Sequence, residues 1–298
     1  MTIDPNEADL IRTSLRNVLD TCPPAGVPEA LLAQGWAELL TADAALAITM
    51  LAEEAGRSRS AAPVVDLAML HGAGLEPDAT TVFVIGDLVV GGWQRATRLI
   101  VPAIDRLMAF EAPHFAVTDV LGVDPASQLG RSQFDQNDAD QIGTAIDSER
   151  AVAIGRLALA SQMVGAVEQM LTDTIAYVNE RHQYGRAIGS FQSVKHRLAD
   201  VTVAAEAAKA GMRAAWEAGD TTSAIAAKCL AGRAQQLASR DCFQVHGGIA
   251  FTVEHGFQQW VRRGQVLDLL LGSCERLTVE LGQRLIEAGH VPRVPANF

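Results

Sequence analysis

A row of aliphatic residues at seven-residue spacing constrains the fold of this chain more than any other sequence feature. The row lies in a stretch without proline and consists of Leu157, Val164, Leu171 and Val178. This spacing keeps one apolar stripe on the same face of a helix and is typical of helices that pack in bundles. It predicts a helix of about 30 residues, which needs partner helices to cover its stripe.

Three further helices are predicted after this one. The second runs from a cap at Ser190 to about residue 217, the third from a cap at Asp220 or Thr221 to about residue 244, and the fourth begins after residue 252. Short connections between long helices favour antiparallel neighbours. We therefore expect residues 141–298 to form an antiparallel four-helix bundle.

The first half of the chain divides into a helical part and a β part. Asp4-Pro5 is a helix start signal, residues 22–26 are a break, and helices are expected over about 28–40 and 42–56. Residues 1–77 are thus an N-terminal helical domain. Short β-branched segments follow, and Thr81–Ile85 and Leu88–Val90 flank a Gly-Asp turn as in a hairpin. We assign residues 78–140 to a small β domain in a mainly α fold.

Composition excludes several classes of function. The 298 residues include 24 basic and 35 acidic side chains, and this acidic balance argues against nucleic-acid binding. The four cysteines have no metal-ligand spacing, so we expect no metal site and reduced thiols in a cytoplasmic protein. The N-terminus lacks an apolar signal core, and no apolar run predicts a membrane span.

Two polar, glycine-containing stretches have a composition that the packing of a helical bundle does not require. The first covers residues 180–192 and reads ERHQYGRAIGSFQ, and the second covers residues 244–254 and reads QVHGGIAFTVE. An arginine beside glycine can approach a phosphate closely, and paired glycines let a ligand reach the backbone. A solvated interhelical loop and a simple helix stop are the structural alternatives.

Together and in this order, the two stretches resemble motifs of the acyl-CoA dehydrogenase family. That family has N-terminal helices, a central β domain and a C-terminal four-helix bundle, with E-R-x-x-F-G, x-x-F-Q and Q-x-x-G-G-x-G-F/Y motifs. The matching residues here are Glu180-Arg181-His182-Gln183-Tyr184-Gly185, Phe191-Gln192 and Gln244-Val245-His246-Gly247-Gly248-Ile249-Ala250-Phe251. Ala250 replaces the third glycine. The resemblance is specific over about residues 146–285 and looser before them.

The resemblance implies an FAD site shared between subunits. In the family, the matching residues contact the pyrophosphate and adenine half of the cofactor. Carried over, this nominates Arg181, Tyr184, Gln192, Gln244, Gly247 and Gly248 as FAD-binding residues. The chemistry agrees, since an arginine fork suits a pyrophosphate and a tyrosine ring offers a flat apolar face.

The resemblance fails at the catalytic base. The family's glutamate lies in a Y-E-G-T segment, where this chain has Leu271, and some members place it on the first bundle helix, where this chain has Gly155. Neither residue can accept a proton, so we assign no catalytic residue. The central segment also lacks the family's tryptophan- and threonine-bearing segment and its T-E-P-x-x-G-S-D loop.

Three acids and one histidine are candidates for a replacement base. The three acids are Glu168, Asp268 and Glu254, each more in keeping with a surface or interface carboxylate. His246 lies within the second motif, where a packing or backbone-contact role is more in keeping with its position.

This chain has both cofactor motifs but no catalytic base. In this it resembles the base-less chain of heteromeric family members, as in actinobacterial steroid degradation. This resemblance implies an α2β2 assembly with a second acyl-CoA dehydrogenase-like chain, an acyl-CoA substrate of steroid origin, and electron-transfer flavoprotein as acceptor. Two alternatives stay open. One is a stand-alone oxidase or monooxygenase of the same fold with an unrecognised base, and the other is a structural partner without flavin.

Overall fold

In the computed structural model, which describes residues 4–289, the chain begins with helices. They are α1 (Pro5–Thr21), α2 (Val27–Ala33), α3 (Trp36–Ser58) and α4 (Val64–Gly72). The Asp4 carboxylate caps α1 by accepting from the Asn6 amide at 2.8 Å. The helices predicted over 28–40 and 42–56 have wrong boundaries. A single helix, α3, crosses the expected gap between them and continues through a kink at Asp43, where φ is −157° and ψ is 90°.

Two buried glutamates join α1 to α3. Glu53 and Glu54 are 7% and 2% exposed. Arg12 contacts Glu53 at 2.6 Å and Glu54 at 3.2 Å, and Arg16 contacts Glu54 at 2.9 Å. A buried carboxylate costs free energy unless it is paired, so these arginines hold α1 against α3.

The predicted β region is present as seven strands. They are β1 (Thr81–Phe83), β2 (Leu88–Val90), β3 (Arg98–Pro102), β4 (Arg106–Glu111), β5 (Phe115–Asp119), β6 (Leu129–Phe134) and β7 (Asp140–Thr144). One sheet has the order β1-β3-β4-β7 and the other β2-β6-β5.

The predicted hairpin is correct in its turn and wrong in its arms. Ile85 and Leu88 exchange two backbone hydrogen bonds of 2.7 and 3.1 Å across the turn. β1 then pairs in parallel with β3, whereas β2 pairs with β6 in the other sheet. Val84 and Val89 on either side of the turn are both buried in one shared core. Placing the arms in different sheets therefore encloses this core between the sheets.

Residues 145–289 form five α-helices. They are α5 (Ala145–Glu180), α6 (Gln192–Ala218), α7 (Thr221–His246), α8 (Gln258–Leu269) and α9 (Cys274–Ala288). All four residues of the seven-residue row on α5 are buried, as predicted. Asp220 caps α7 through the Ser223 amide at 2.9 Å, but Ser190 does not cap α6.

The prediction of a single fourth helix is wrong, because two helices, α8 and α9, take its place. The chain leaves helical geometry between α8 and α9, where Leu271 has φ 54° and Gly272 has φ 105°. Both angles lie in the left-handed region, which ends a helix.

The chain also divides into two compact units, Met1–Leu159 and Ala160–Phe298.

One long helix has the length and apolarity of a membrane span. Within residues 4–289 this helix is α5, and a second candidate arises only if the segments Pro24–Ala33 and Trp36–Ser58 are joined across a 100° bend. In α5, 83% of the most apolar window is buried inside the protein. Such burial is typical of a core helix.

Candidate functional site

A strained hairpin carries the first motif. Its strands are β8 (His182–Gln183) and β9 (Arg186–Ala187). Tyr184 and Gly185 form the two-residue turn, with φ angles of 53° and 78°. Positive φ at both positions defines the tight turn that suits such a hairpin, but it is unfavourable for tyrosine. The strain presents the Tyr184 ring to solvent, where it is 92% exposed.

The two arginines of this hairpin differ in their contacts. The Arg186 guanidinium lies 4.0 Å from the centre of the Phe191 ring, in a cation–π contact. Arg181 is held through its backbone, since its amide donates to the Tyr177 carbonyl oxygen and its own carbonyl oxygen accepts from Ile188 at 2.8 Å. Its side chain is exposed, and within residues 4–289 it has no ion-pair partner. Arg181 is therefore free to meet an anion.

The second motif begins where α7 ends. Gln244 is exposed on the last turn, and Gly247 follows with φ 66° and ψ −145°. These angles are essentially restricted to glycine. A Cβ atom at Gly247 or Gly248 would have no atom within 4 Å apart from those of its chain neighbours. The backbone here is open to a ligand on its outer side.

A ring cluster supports the second motif. The His246 ring stacks on Tyr177 at 4.5 Å and lies 4.4 Å from Phe257. Its Nδ1 lies 2.8 Å from the Cys242 carbonyl oxygen. Burial lowers the pKa of His246, and this carbonyl opposes the shift only in part. The His246 ring thus packs against Tyr177 and Phe257 directly before the two glycines.

The two motifs lie at the same end of the helices. The Tyr177 hydroxyl donates to the His246 carbonyl oxygen at 3.4 Å, which links the end of α5 to the end of α7. Arg197 on α6 pairs with the buried Asp241 on α7 at 2.6 Å. The start of α6 therefore lies beside the end of α7. Sequence reasoning missed Tyr177, although its position one turn before the first motif was a signal.

The structure groups the predicted cofactor residues into two neighbouring segments. One contains Arg181, Tyr184 and Gln192, and the other contains Gln244, Gly247 and Gly248. All are exposed except Gly247, which is half-buried. This end of the helices presents a cation, a flat ring, amides and open backbone, which together suit a large anionic ligand with a planar ring.

The expected base position lies in a corner between two helices, and Leu271 at this position cannot accept a proton. Leu271 lies between α8 and α9, and the fully buried Lys228 donates from Nζ to the carbonyl oxygens of Asp268 at 2.8 Å and Gly272 at 2.6 Å. The Asp268 carboxylate accepts from the Cys274 amide at 3.0 Å. These contacts position the corner, and the Asp268 carboxylate is engaged by the first residue of α9.

The other candidate acids have ordinary surroundings. Glu168 pairs with Lys209, and Glu254 is exposed. Gly155 is buried in α5 beside Arg156. In the part of the chain that the structure describes, no three His, Cys, Asp or Glu side chains could hold a metal ion together.

Residues 143–286 match the family model described as acyl-CoA dehydrogenase, C-terminal domain. Over these residues the chain is similar to an acyl-CoA dehydrogenase C-terminal domain. The predicted resemblance to the acyl-CoA dehydrogenase family is confirmed. The match covers both motifs and the corner at Leu271.

One curated acyl-CoA dehydrogenase relative is IpdE2 of Mycobacterium tuberculosis. It is 33% identical over 174 residues, which is 58% of this chain and 53% of that protein. The aligned part therefore spans about half the length of this relative.

Solved structures confirm the fold. The ChsE4-ChsE5 complex from Mycobacterium tuberculosis contains a chain with a TM-score of 0.74 at 18% identity, covering 98% of this chain and 100% of that one. A steroid ACAD variant, Tcur3481-Tcur3483, has a TM-score of 0.74 at 20% identity, covering 95% of this chain and 99% of that one. The mainly α acyl-CoA dehydrogenase fold with a small sheet region extends over both halves of the chain.

Proposed function

We propose that this chain is a subunit of an FAD-dependent acyl-CoA dehydrogenase. It contributes the pyrophosphate and adenine half of the FAD site, and a second acyl-CoA dehydrogenase-like chain supplies the catalytic base. The observation that carries the proposal is the exposed Arg181, Tyr184 and Gln244 at one end of the helices, combined with Leu271 at the base position.

The residues fit the cofactor. Arg181 would face the pyrophosphate, because its guanidinium is exposed and unpaired within residues 4–289. Tyr184 would lie flat against an aromatic ring. The backbone at Gly247 and Gly248 would let a bulky group approach closely. When bound, FAD would supply the hydride acceptor for α,β-dehydrogenation of the acyl thioester.

The missing base implies an unlike partner. Removal of the α proton needs a carboxylate near the substrate, and Leu271 offers none. Two structural neighbours, the ChsE4-ChsE5 complex and the Tcur3481-Tcur3483 steroid ACAD, support a two-chain assembly that acts on a steroid substrate. We therefore propose a cytoplasmic α2β2 heterotetramer. Its substrate is a steroid-derived acyl-CoA, and electron-transfer flavoprotein accepts the electrons.

The test is flavin retention in the co-expressed complex. Arg181→Ala removes one charge-assisted contact of about 1.5 to 3 kcal/mol, which lowers FAD affinity by about one to two decades. Arg181→Lys recovers part of this loss, because an ammonium keeps the charge without the bidentate fork. Flavin content is measured by absorbance after gel filtration, and circular dichroism checks folding.

Arg213→Ala is the matched control. Arg213 is also an exposed arginine, but it lies 21 residues along α6 from Gln192, which is roughly 30 Å in a helix. The control variant should keep full flavin. Equal flavin in the Arg181→Ala and wild-type complexes would refute the assignment of the first motif, and a complex without any flavin would favour a structural partner.

The isolated chain tests whether FAD binding and turnover require the partner chain. We expect it to bind FAD weakly and to show no acyl-CoA turnover with an artificial electron acceptor, because it lacks a base at both family positions. A homogeneous preparation that is yellow and turns over an acyl-CoA alone would instead support a stand-alone flavoenzyme.

A further inference from the structure

Helix α9 has an apolar stripe on its outer face. Val279 and Ile286 are 62% and 81% exposed. They lie seven residues apart, about two helical turns, so both point to the same side. Gly282 lies between them, and a Cβ atom there would have no other atom within 4 Å. The inner face is already packed, since Leu277 is fully buried with Ile225 and Cys229.

Opposite charges lie at the two ends of this stripe. Arg276 and Glu287 are both exposed and lie eleven residues apart, close to three turns, so they occupy one flank of the stripe. They stand six residues before and five residues after Gly282. The other neighbouring pair, Glu280 and Arg284, is joined within α9 at 3.2 Å.

We propose that α9 is a self-association surface whose occupant is α9 of a second copy of this chain. The two helices would cross in antiparallel directions at Gly282, where the missing side chain permits a close approach. Val279 would then meet the partner subunit's Ile286, and Arg276 would meet the partner subunit's Glu287. A twofold axis repeats each of these contacts, so the stripe is complementary to itself.

The size of the surface sets the strength of the contact. A helix of 15 residues is roughly 22 Å long, and one such pair buries less than the ~1,200 Å² typical of a stable complex. Copies of the free chain would therefore exchange between monomer and dimer. The inference concerns contact between like chains and does not depend on FAD binding or on the proposed unlike partner.

Sedimentation velocity of the full chain over a range of concentrations tests the proposal. The weight-average mass should rise with concentration from 31.7 kDa towards twice that value. Ile286→Glu should shift the monomer–dimer midpoint at least tenfold upward in concentration, because a charge would face an apolar stripe. Val203→Glu is the matched control, because Val203 is 69% exposed on α6, and it should leave the midpoint unchanged.

Charge reversal tests the antiparallel arrangement. Arg276→Glu alone and Glu287→Arg alone should each weaken association. Each single variant would place like charges opposite one another at both symmetry-related contacts. The two changes together should restore it. A chain that is monomeric at every concentration, equal effects of Ile286→Glu and Val203→Glu, or a double variant no better than the single ones would each overturn the proposal. Flavin content of the heteromeric complex is measured separately, so failure here and failure of the proposed function are distinguishable.

Discussion

Two adjacent glycines offer a sharp test of the backbone at the cofactor motif. Both Gly247 and Gly248 have room for a Cβ atom, with no other atom within 4 Å. They differ in backbone conformation, because Gly247 has φ 66° and ψ −145° whereas φ of Gly248 lies outside the left-handed range. Replacing each by alanine therefore separates conformational strain from crowding.

The expected difference follows from these angles. Gly247→Ala forces an L residue into a conformation that costs about 1 to 3 kcal/mol. Gly248→Ala causes no such strain and stabilises by up to about 1 kcal/mol, because alanine restricts the unfolded chain more than glycine does. The two variants should therefore differ by about 1.5 to 4 kcal/mol in the free energy of unfolding.

Scanning calorimetry measures this difference directly. The chain has two compact units, so the comparison uses the transition of the C-terminal unit and not a single global midpoint. Each kcal/mol should move that midpoint by roughly 2–4 °C. If Gly247→Ala melts at the same temperature as Gly248→Ala, the backbone after α7 is not held at positive φ, and the argument for an open, glycine-dependent turn fails.

Three further predictions concern buried or strained side chains. Burial lowers the pKa of His246 below 6.5, so the free energy of unfolding should fall as the pH drops below about 6.5. Urea unfolding at several pH values measures this fall, which should be smaller in His246→Phe. Burial raises the pKa of Asp66 well above 3.8, so stability should fall as the pH rises above about 4. Asp66→Asn should therefore raise the thermal midpoint at neutral pH but not in acid. Tyr184→Asn should keep or raise stability by up to about 1 kcal/mol, because asparagine tolerates positive φ, while flavin retention falls.

Local patterns in the sequence predicted most of the elements. The apolar row on α5, the cap at Asp220 and strands within the predicted β region all appear as expected. Each depends on residues that are close along the chain. The order of the two motifs was also sufficient to predict the resemblance to the family, which the match over residues 143–286 confirms.

The candidate site was predicted only in part. The sequence nominated residues such as Arg181 and Gln244, and their proposed role in binding FAD stays a prediction. The convergence of their segments depends on the contacts of Tyr177 with His246 and of Arg197 with Asp241, and these pairs are 69 and 44 residues apart in sequence. No local pattern specifies contacts at such separations.

The sequence by itself determined which regions are mainly helical and which are extended, because hydrophobic period and capping act within a few residues. Only the tertiary structure decided that the arms of the Ile85–Leu88 turn enter different sheets, since burial of Val84 and Val89 in one core outweighs local pairing. It also decided the break at Leu271. There the buried Lys228 binds the carbonyl oxygens of the corner from another helix, and this long-range contact compensates for backbone groups that a continuous helix would have paired within itself.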